Sequence, residues 1–367
     1  LQALMADQVR SLSERYPPSC YVNANLLMEA RRQNLEGLRT GRYHVLYLGP
    51  EQLRNPSMIR LLTNRPPFLW VIDEAHCISQ WGHSFRTDYT YLPRAIARIH
   101  ERSRRPLIGL FTATASRQVK QDIVRLVGEG LGTRVQEMDF SAPRENLRHE
   151  VVRIEDRGDK RTALLNLLAA HPEGTRLVYC ATVRTAGDVA GMLREEGIAC
   201  ALYHGRLKPN EKAEQLERFL SGRVRTVVAT SAFGMGIDKP DIRLVVHYEI
   251  SGSLEEYVQE TGRAGRDGEP SRCVLLFCEE DLETQFFLKT ASRVTGRDVR
   301  YVFKALRARA RRLWRSAGED GRVPLWVQAE DLFVEENLEE QLEWTRDALQ
   351  VKLKLVLYHL EADGVLE

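Results

Sequence analysis

Eight short apolar runs, spread from Tyr43 to Phe277 and separated by helical stretches, constrain this chain more than any other feature. They read YHVLYL, FLWVID, LIGLFTAT, RLVYCAT, IACALYH, RTVVAT, IRLVVHY and CVLLF. Most are apolar on both faces, as expected of strands buried in a parallel sheet covered by helices. Between them lie amphipathic patterns such as SRQVKQDIVRLVGEG and AGDVAGMLREEG, the latter stopped by Gly197. The alternation predicts an α/β fold with parallel sheets. Open sheets of this kind bind ligands on loops at the carboxyl ends of their strands, and the chemistry-bearing residues are expected there.

A chain of 367 residues exceeds one typical core, so two or three domains are expected. The polar stretch DFSAPRENLRHEVV breaks the alternation, and a linker is placed near Ser141 to Glu145. Residues 1–142 and 143–280 then form two α/β domains of similar size. From about Glu279 the strand signals vanish, leaving residues 281–367 as a helical region. Within it, Arg297 to Arg315 carries eight Lys or Arg against one acid, and a markedly acidic stretch follows through Glu343. The closing VKLKLVLYHLEADGVLE reads as a helix of mostly core pattern, ended at Asp363 and Gly364.

At 43% hydrophobic and 28% charged residues the chain reads as a soluble globular protein, and no run approaches the ~18 apolar residues of a membrane span. The formal charge is only +2, yet most of the 53 Lys and Arg are arginine, which suits bidentate phosphate contacts. A local basic groove can hide inside such a balanced total. The six cysteines form no C-x-x-C pair and read as buried, reduced thiols, with no zinc site visible. The chain opens at Leu1 with LQALMADQVRSL, a helix already under way, and is read as a fragment without a visible signal peptide.

Four stretches carry chemistry. The run V-I-D-E-A-H ends a strand in two acids, so Asp73 can hold Mg²⁺ against nucleotide phosphates and Glu74 can orient or deprotonate a water. A DE pair after an apolar strand is by itself equally consistent with a solvated strand end. The stretch QETGRAGRDG, Gln259 to Gly268, places two arginines three residues apart, read as lying on a helix opened by glycines and aimed at one γ-phosphate. ATSAFGMGIDKP, Ala229 to Pro240, carries Gly234 and Gly236, which permit close approach of backbone to a ligand. Its Asp238 can accept a hydrogen bond from a ribose hydroxyl or from an arginine. TATA, Thr112 to Ala115, is either a helix N-cap or a partner of the DEAH loop.

In this order, these residues resemble the RecQ family of DNA helicases, within the second helicase superfamily. The resemblance runs from Leu1 to about Phe277 and includes LMADQV, LYLGPEQL, DEAHCISQWGHSFR, TATA, YHGRL, ATSAFGMGIDKPDIRLVVH and YVQETGRAGRDG. SQWGHSFR separates it from ordinary DEAH RNA helicases. The resemblance implies two RecA-like motor domains, the first incomplete, with ATP and Mg²⁺ bound between them. It makes Asp73 the Mg²⁺ residue and Glu74 the activator of water, with Gln259 and Arg263 as γ-phosphate contacts and Arg266 as the arginine finger. His76, Gly236 and Asp238 join Asp73 at the nucleotide. Trp81, His83, Phe85 and Arg86 become the loop that senses single-stranded DNA and couples it to ATP. Base stacking on aromatics makes that chemically reasonable. Asp7, Gln8, Pro50 and Glu51 fall in segments that lie along the DNA strand, Glu51 with an indirect, helix-start role. Single-stranded and forked or duplex DNA, 3′ to 5′ movement, a place in repair or recombination, and a reducing compartment (cytoplasm, at the nucleoid, or nucleus) follow from the same likeness.

The sequence also departs from the family. No G-x-x-x-x-G-K-[ST] run and no upstream adenine-reading glutamine motif occur, and a truncated N-terminus is the expected reason. Val183 stands where the family often has a basic residue, which puts a role for Arg184 in doubt. No cysteine follows Cys278, so the family's four-cysteine zinc module is missing or replaced. In its place stand the basic helix, which is either a solvated face or a phosphate track, and DALQVKLKLVLYHLEADGVLE, which resembles the opening of a winged-helix domain. Two rival readings remain: a non-hydrolysing DNA-binding or annealing protein on a decayed motor, and another superfamily-two enzyme such as an RNA helicase.

Overall fold

The computed structural model describes residues 5, 8–9, 18–23, 26–79, 86–140, 143–234, 239–317 and 346–362. It divides into two compact units, Leu1–Gln285 and Phe286–Glu367.

The first unit opens with β1 (Ser19–Val22), α1 (Met28–Thr40) and β2 (Val45–Leu48). A 3-10 turn at Pro50–Arg54 leads into α2 (Pro56–Asn64), whose N-cap Asn55 accepts the Ser57 amide. β3 (Leu69–Ile72) follows, then a 3-10 turn at Ala75–Ile78, α3 (Thr87–Thr90), α4 (Leu92–Ile99), β4 (Leu107–Leu110) and α5 (Arg117–Leu131). β1 pairs with β2 and β3 with β4, both in parallel.

Next come β5 (Leu147–Arg153), α6 (Asp159–Ala169), β6 (Thr175–Tyr179), α7 (Val183–Glu195), β7 (Cys200–Tyr203), α8 (Pro209–Leu220) and β8 (Thr226–Ala229). β9 (Ile242–His247), α9 (Leu254–Thr261) and β10 (Ser271–Phe277) complete a six-stranded parallel sheet of order β5-β10-β9-β6-β8-β7. Its register separates two cores. Leu177, Val227, Val245 and Cys273 are neighbours across four strands and belong to one apolar cluster with Phe219 and Phe233. Val178, Val228, Val246 and Val274, one residue on, belong to the opposite cluster with Leu164 and Leu168 of α6 and Leu193 of α7. That is the two-faced burial the apolar runs predict.

Among the described residues of the first block, β3 and β4 depart from that expectation. Ile72 faces a core built with Ile59, Leu62, Ile96, Ile99 and Val119, but Leu69 is 51% exposed, Val71 60% and Leu107 57%. Among the described residues β3 turns Ile72 to this cluster and leaves its other face exposed, whereas Ser19, Cys20 and Val22 of β1 are all buried.

α10 (Glu280–Ser292) spans the junction of the two units; α11 (Gly296–Ala317) and α12 (Arg346–Ala362) follow. Thr295 and Asp298 exchange hydrogen bonds of 2.7 and 3.3 Å, an N-terminal capping box for α11. Val302, Ala305 and Leu306 of α11 pack against Leu353, Val356 and Leu360 of α12, so the terminal run is a core helix as its pattern indicates. The acidic stretch, the end at Asp363 and Gly364, and the rest of the winged-helix pattern lie outside the described residues. No helix among the described residues is long and apolar enough to cross a membrane.

Candidate nucleotide site

Asp73 and Glu74 follow β3 directly. Asp73 is exposed at the strand end, and its Oδ1 accepts the Glu74 amide at 2.9 Å. Glu74 takes φ 53°, the one positive φ among the described non-glycine residues. The left-handed region is disfavoured for a side chain of this size, at a cost of order 1–3 kcal/mol that surrounding contacts must hold in place. Those contacts are visible: the Ala75 amide donates to the Phe111 carbonyl after β4, and the Cys77 amide to Glu74, both at 2.9 Å.

His76 is buried at 2% exposure, with Nδ1 2.9 Å from the Thr112 hydroxyl and 3.3 Å from Glu74 Oε2. Thr112 spends its own proton on the Thr114 carbonyl at 2.9 Å, so its oxygen accepts and His76 Nδ1 carries the hydrogen. TATA therefore partners the DEAH loop through Thr112. The N-cap of α5 is Ser116, whose hydroxyl accepts the Val119 amide.

The second block reaches the same place. Gln259 Nε2 donates to Glu74 Oε1 at 3.2 Å, which joins residues 185 positions apart. Burial raises the Glu74 carboxyl above the usual carboxylate value and Asp73 adds to it, while Arg263, Gln259 and Arg86 offset part of the rise. Arg263 is 5% exposed and its Nη1 donates to the Gly234 carbonyl. A Cβ at position 234 would stand 2.6 Å from Arg263 Nη2, so Gly234 serves a close approach, to this guanidinium. Behind Gln259, Glu260 accepts from the Ser251 hydroxyl at 2.9 Å and pairs with His247 Nε2 at 2.8 Å; no motif in the sequence marks this network.

Two expectations are corrected here. Arg263 and Arg266 do not lie on a helix: α9 ends at Thr261, Gly262 caps it, and Gly265 at φ 54° continues a turn. Arg263 is buried and Arg266 exposed, so the two occupy different surroundings. Nor is this turn at the carboxyl end of a strand. The Gly265 amide donates to Ile242, which opens β9, so the turn sits at the amino-terminal edge of the six-stranded sheet. The helix α9 carries the chain back to that edge. Asp73, Glu74 and Thr112 do follow the carboxyl ends of β3 and β4.

Arg86 is the N-cap of α3, its amide donating to Cys77 at 3.1 Å. Gln8 is half-buried, and Pro50 and Glu51 open the 3-10 turn, where a helix-start role was expected of Glu51. Arg184 projects into solvent at 92% side-chain exposure beside Asp188. Asp7, Trp81, His83, Phe85, Gly236 and Asp238 lie outside the described residues.

Residues 1–122 match the family model for DEAD/DEAH box helicases, and residues 159–268 that for the helicase conserved C-terminal domain. The ATP-dependent DNA helicase RecQ of Bacillus subtilis is 40% identical over 288 residues, which cover 78% of this chain and 47% of the relative. That of Synechocystis is 37% identical over 311 residues, 81% of this chain and 64% of the relative. The chain belongs to the RecQ helicase family. It spans about half to two-thirds of the length of these RecQ relatives. In fold it is similar to the DEAD-box helicase Mss116 bound to ssRNA and UDP-BeF, with TM-score 0.60 and 14% identity over 100% of this chain and 75% of that one. The RecQ motifs thus sit on a RecA-like α/β frame.

The residues present fit the metal and γ-phosphate end of a nucleotide. Mg²⁺ takes one or two carboxylates, keeps several waters and binds phosphate, so an exposed Asp73 suits it without a larger ligand cluster. Among the described residues no group of three or more His, Cys, Asp or Glu comes together as a metal site. The sequence has no G-x-x-x-x-G-K-[ST] run, so a cradle for the remaining phosphates is not among these residues.

Proposed function

We propose that the chain forms the motor of an ATP- and Mg²⁺-dependent DNA helicase. The observation that carries this reading is the hydrogen bond from Gln259 to Glu74, which assembles the acids of one block and the Q-x-x-x-R turn of the other at one point. Bound Mg·ATP would supply the phosphoryl group and neutralise charge on it. Asp73 would hold the metal. Glu74, its pKa raised, would orient the attacking water and take its proton, with Gln259 and His76 fixing the carboxylate. Arg263 and Arg266 would stabilise charge on the transferring oxygens, Arg266 as the finger. His76 also ties this state to Thr112.

Trp81, His83, Phe85 and Arg86 would read single-stranded DNA and pass its presence to Glu74; Arg86 already biases the Glu74 titration electrostatically. Gly236 and Asp238 would complete the nucleotide contacts, and Gln8 would lie on the DNA path. Repeated closure and opening would move the motor 3′ to 5′ along one strand and unwind duplex or forked DNA, in repair or recombination. α11 offers a further phosphate track: Arg297, Arg300, Lys304, Arg307 and Arg311 are exposed at helical spacing opposite its buried face. A reducing compartment, cytoplasm or nucleus, suits the six buried thiols, where burial pushes Cys20 and Cys273 up to about 12 and Cys77 to about 11.

ATP turnover by the full-length protein with Mg²⁺, with and without single-stranded DNA, tests the reading. DNA stimulation, lost in Asp73→Asn and Glu74→Gln, is expected, and Trp81→Ala or Phe85→Ala should spare basal turnover while reducing the stimulation. DNA binding without turnover would replace the motor by a binding protein, and stronger stimulation by RNA would make it an RNA helicase.

A further inference from the structure

The segment between α5 and β5 joins the two α/β blocks, and its last residues grip the arginine turn. Arg144 Nη2 donates to the carbonyls of Ala264 at 3.0 Å and Gly265 at 2.7 Å. Asn146 Nδ2 donates to Gly265 at 2.8 Å and to Glu269 at 3.0 Å. Arg144 Nε reaches Asn146 Oδ1 at 3.2 Å, so each holds the other in place. Ala264 and Gly265 are the two residues between Arg263 and Arg266; the peptide units gripped here set the direction of both arginines.

The fit is close. Gly265 occupies the left-handed region at φ 54°, and a Cβ there would stand 2.5 Å from Asn146 Nδ2 and 2.6 Å from the Glu269 carbonyl. Glycine accepts this conformation but also many others, so the turn needs outside contacts to stay in it. β5 does not need these contacts to hold its place, because it pairs with β10 over seven residues, Leu147 to Arg153. Arg144 is exposed as a residue, yet its guanidinium is committed to two backbone carbonyls and the Asn146 side-chain oxygen. The donors serve the turn.

We propose that Arg144 and Asn146 are positioning residues for Arg263 and Arg266. This rests on the reading of those arginines as γ-phosphate residues.

The test is DNA-stimulated ATP hydrolysis by the full-length protein, comparing Arg144→Ala, Asn146→Ala and Arg144→Lys with Arg266→Ala. Loss of two hydrogen bonds should lower kcat about tenfold in each alanine variant, with KM for ATP unchanged. Arg144→Lys should regain only part of it, since the ammonium keeps the charge but loses the reach of Nη2 and the Nε bond to Asn146. Parental kcat in both alanine variants, beside an inactive Arg266→Ala, would overturn the clamp. An active Arg266→Ala would instead strike the reading of the arginines. Should the alanine variants melt early, Asn146→Asp decides: it keeps the size, loses the donors, and should lose kcat at the parental melting temperature. Parental turnover in that variant overturns the proposal as well.

Discussion

Strands of nearly the same composition meet different fates in the two blocks. In β8 and β9, Val227 and Val228, Val245 and Val246 are all at 0% exposure, each neighbour on an opposite face of the sheet. In β3 the same alternation leaves Leu69 and Val71 more than half exposed, with Phe68 at 79% and Phe111 at 58% flanking β3 and β4. An apolar run on both faces states what environment a strand suits; whether that environment exists depends on how many layers the rest of the fold provides. The six-stranded sheet has α6 and α7 on one side and α8 with Phe233 on the other. Among the described residues, β3 and β4 meet one apolar cluster, on one face.

The largest expected effect lies in the fully covered block. Lys160 and Asp281 are both at 0% exposure, 2.7 Å apart, and Lys160 Nζ also donates to the Tyr248 carbonyl at 2.6 Å. Lys160→Ala leaves a buried carboxylate without its partner and should cost about 3–5 kcal/mol in urea unfolding. The double change Lys160→Met with Asp281→Leu should cost clearly less, since it buries no lone charge; equal losses would mean the pair acts through packing. Next in size, Leu177→Ala in the centre of the sheet should cost about 2–5 kcal/mol. Leu69→Ala should stay within about 0.5 kcal/mol. A Leu69→Ala loss as large as that of Leu177→Ala would show that the outer face of β3 is covered in solution, and the contrast between the blocks would fall.

The same contrast explains what was legible in the sequence. Every apolar run became a strand, because a continuous hydrophobic run of that length has few other uses in an α/β chain. β5 escaped notice: at the edge of the sheet it pairs only with β10, and LRHEVVR carries the charge and polarity an edge permits. β1, a four-residue strand that directly follows a Pro-Pro pair, is too short to show a period. At the site, adjacency in sequence was enough for Asp73, Glu74 and His76. The arginine pair was misplaced because a spacing of three suggests one helix face, while Gly262 and Gly265 break the helix first. The grip of Arg144 and Asn146 on that turn spans about 120 positions, and nothing local announces it.

The smallest predicted effect probes the point where the blocks meet. In the proposed role Glu74 acts as a base only when deprotonated, so turnover is expected to climb as pH rises through its pKa. Burial and Asp73 hold that pKa above the usual 4.5, and the Gln259 hydrogen bond works against them by favouring the charged carboxylate. Gln259→Ala removes a force that lowers the pKa. The acid limb of the kcat profile should therefore move to higher pH, beyond any drop in the plateau. The sign matters more than the size: a loss of general packing lowers the plateau and leaves the limb in place, whereas loss of this bond displaces it upward. Since Glu74 belongs to one block and Gln259 to the other, the displacement reads contact between them during turnover. A limb that stays at the parental pH would mean that Gln259 does not hold this hydrogen bond to Glu74 during turnover.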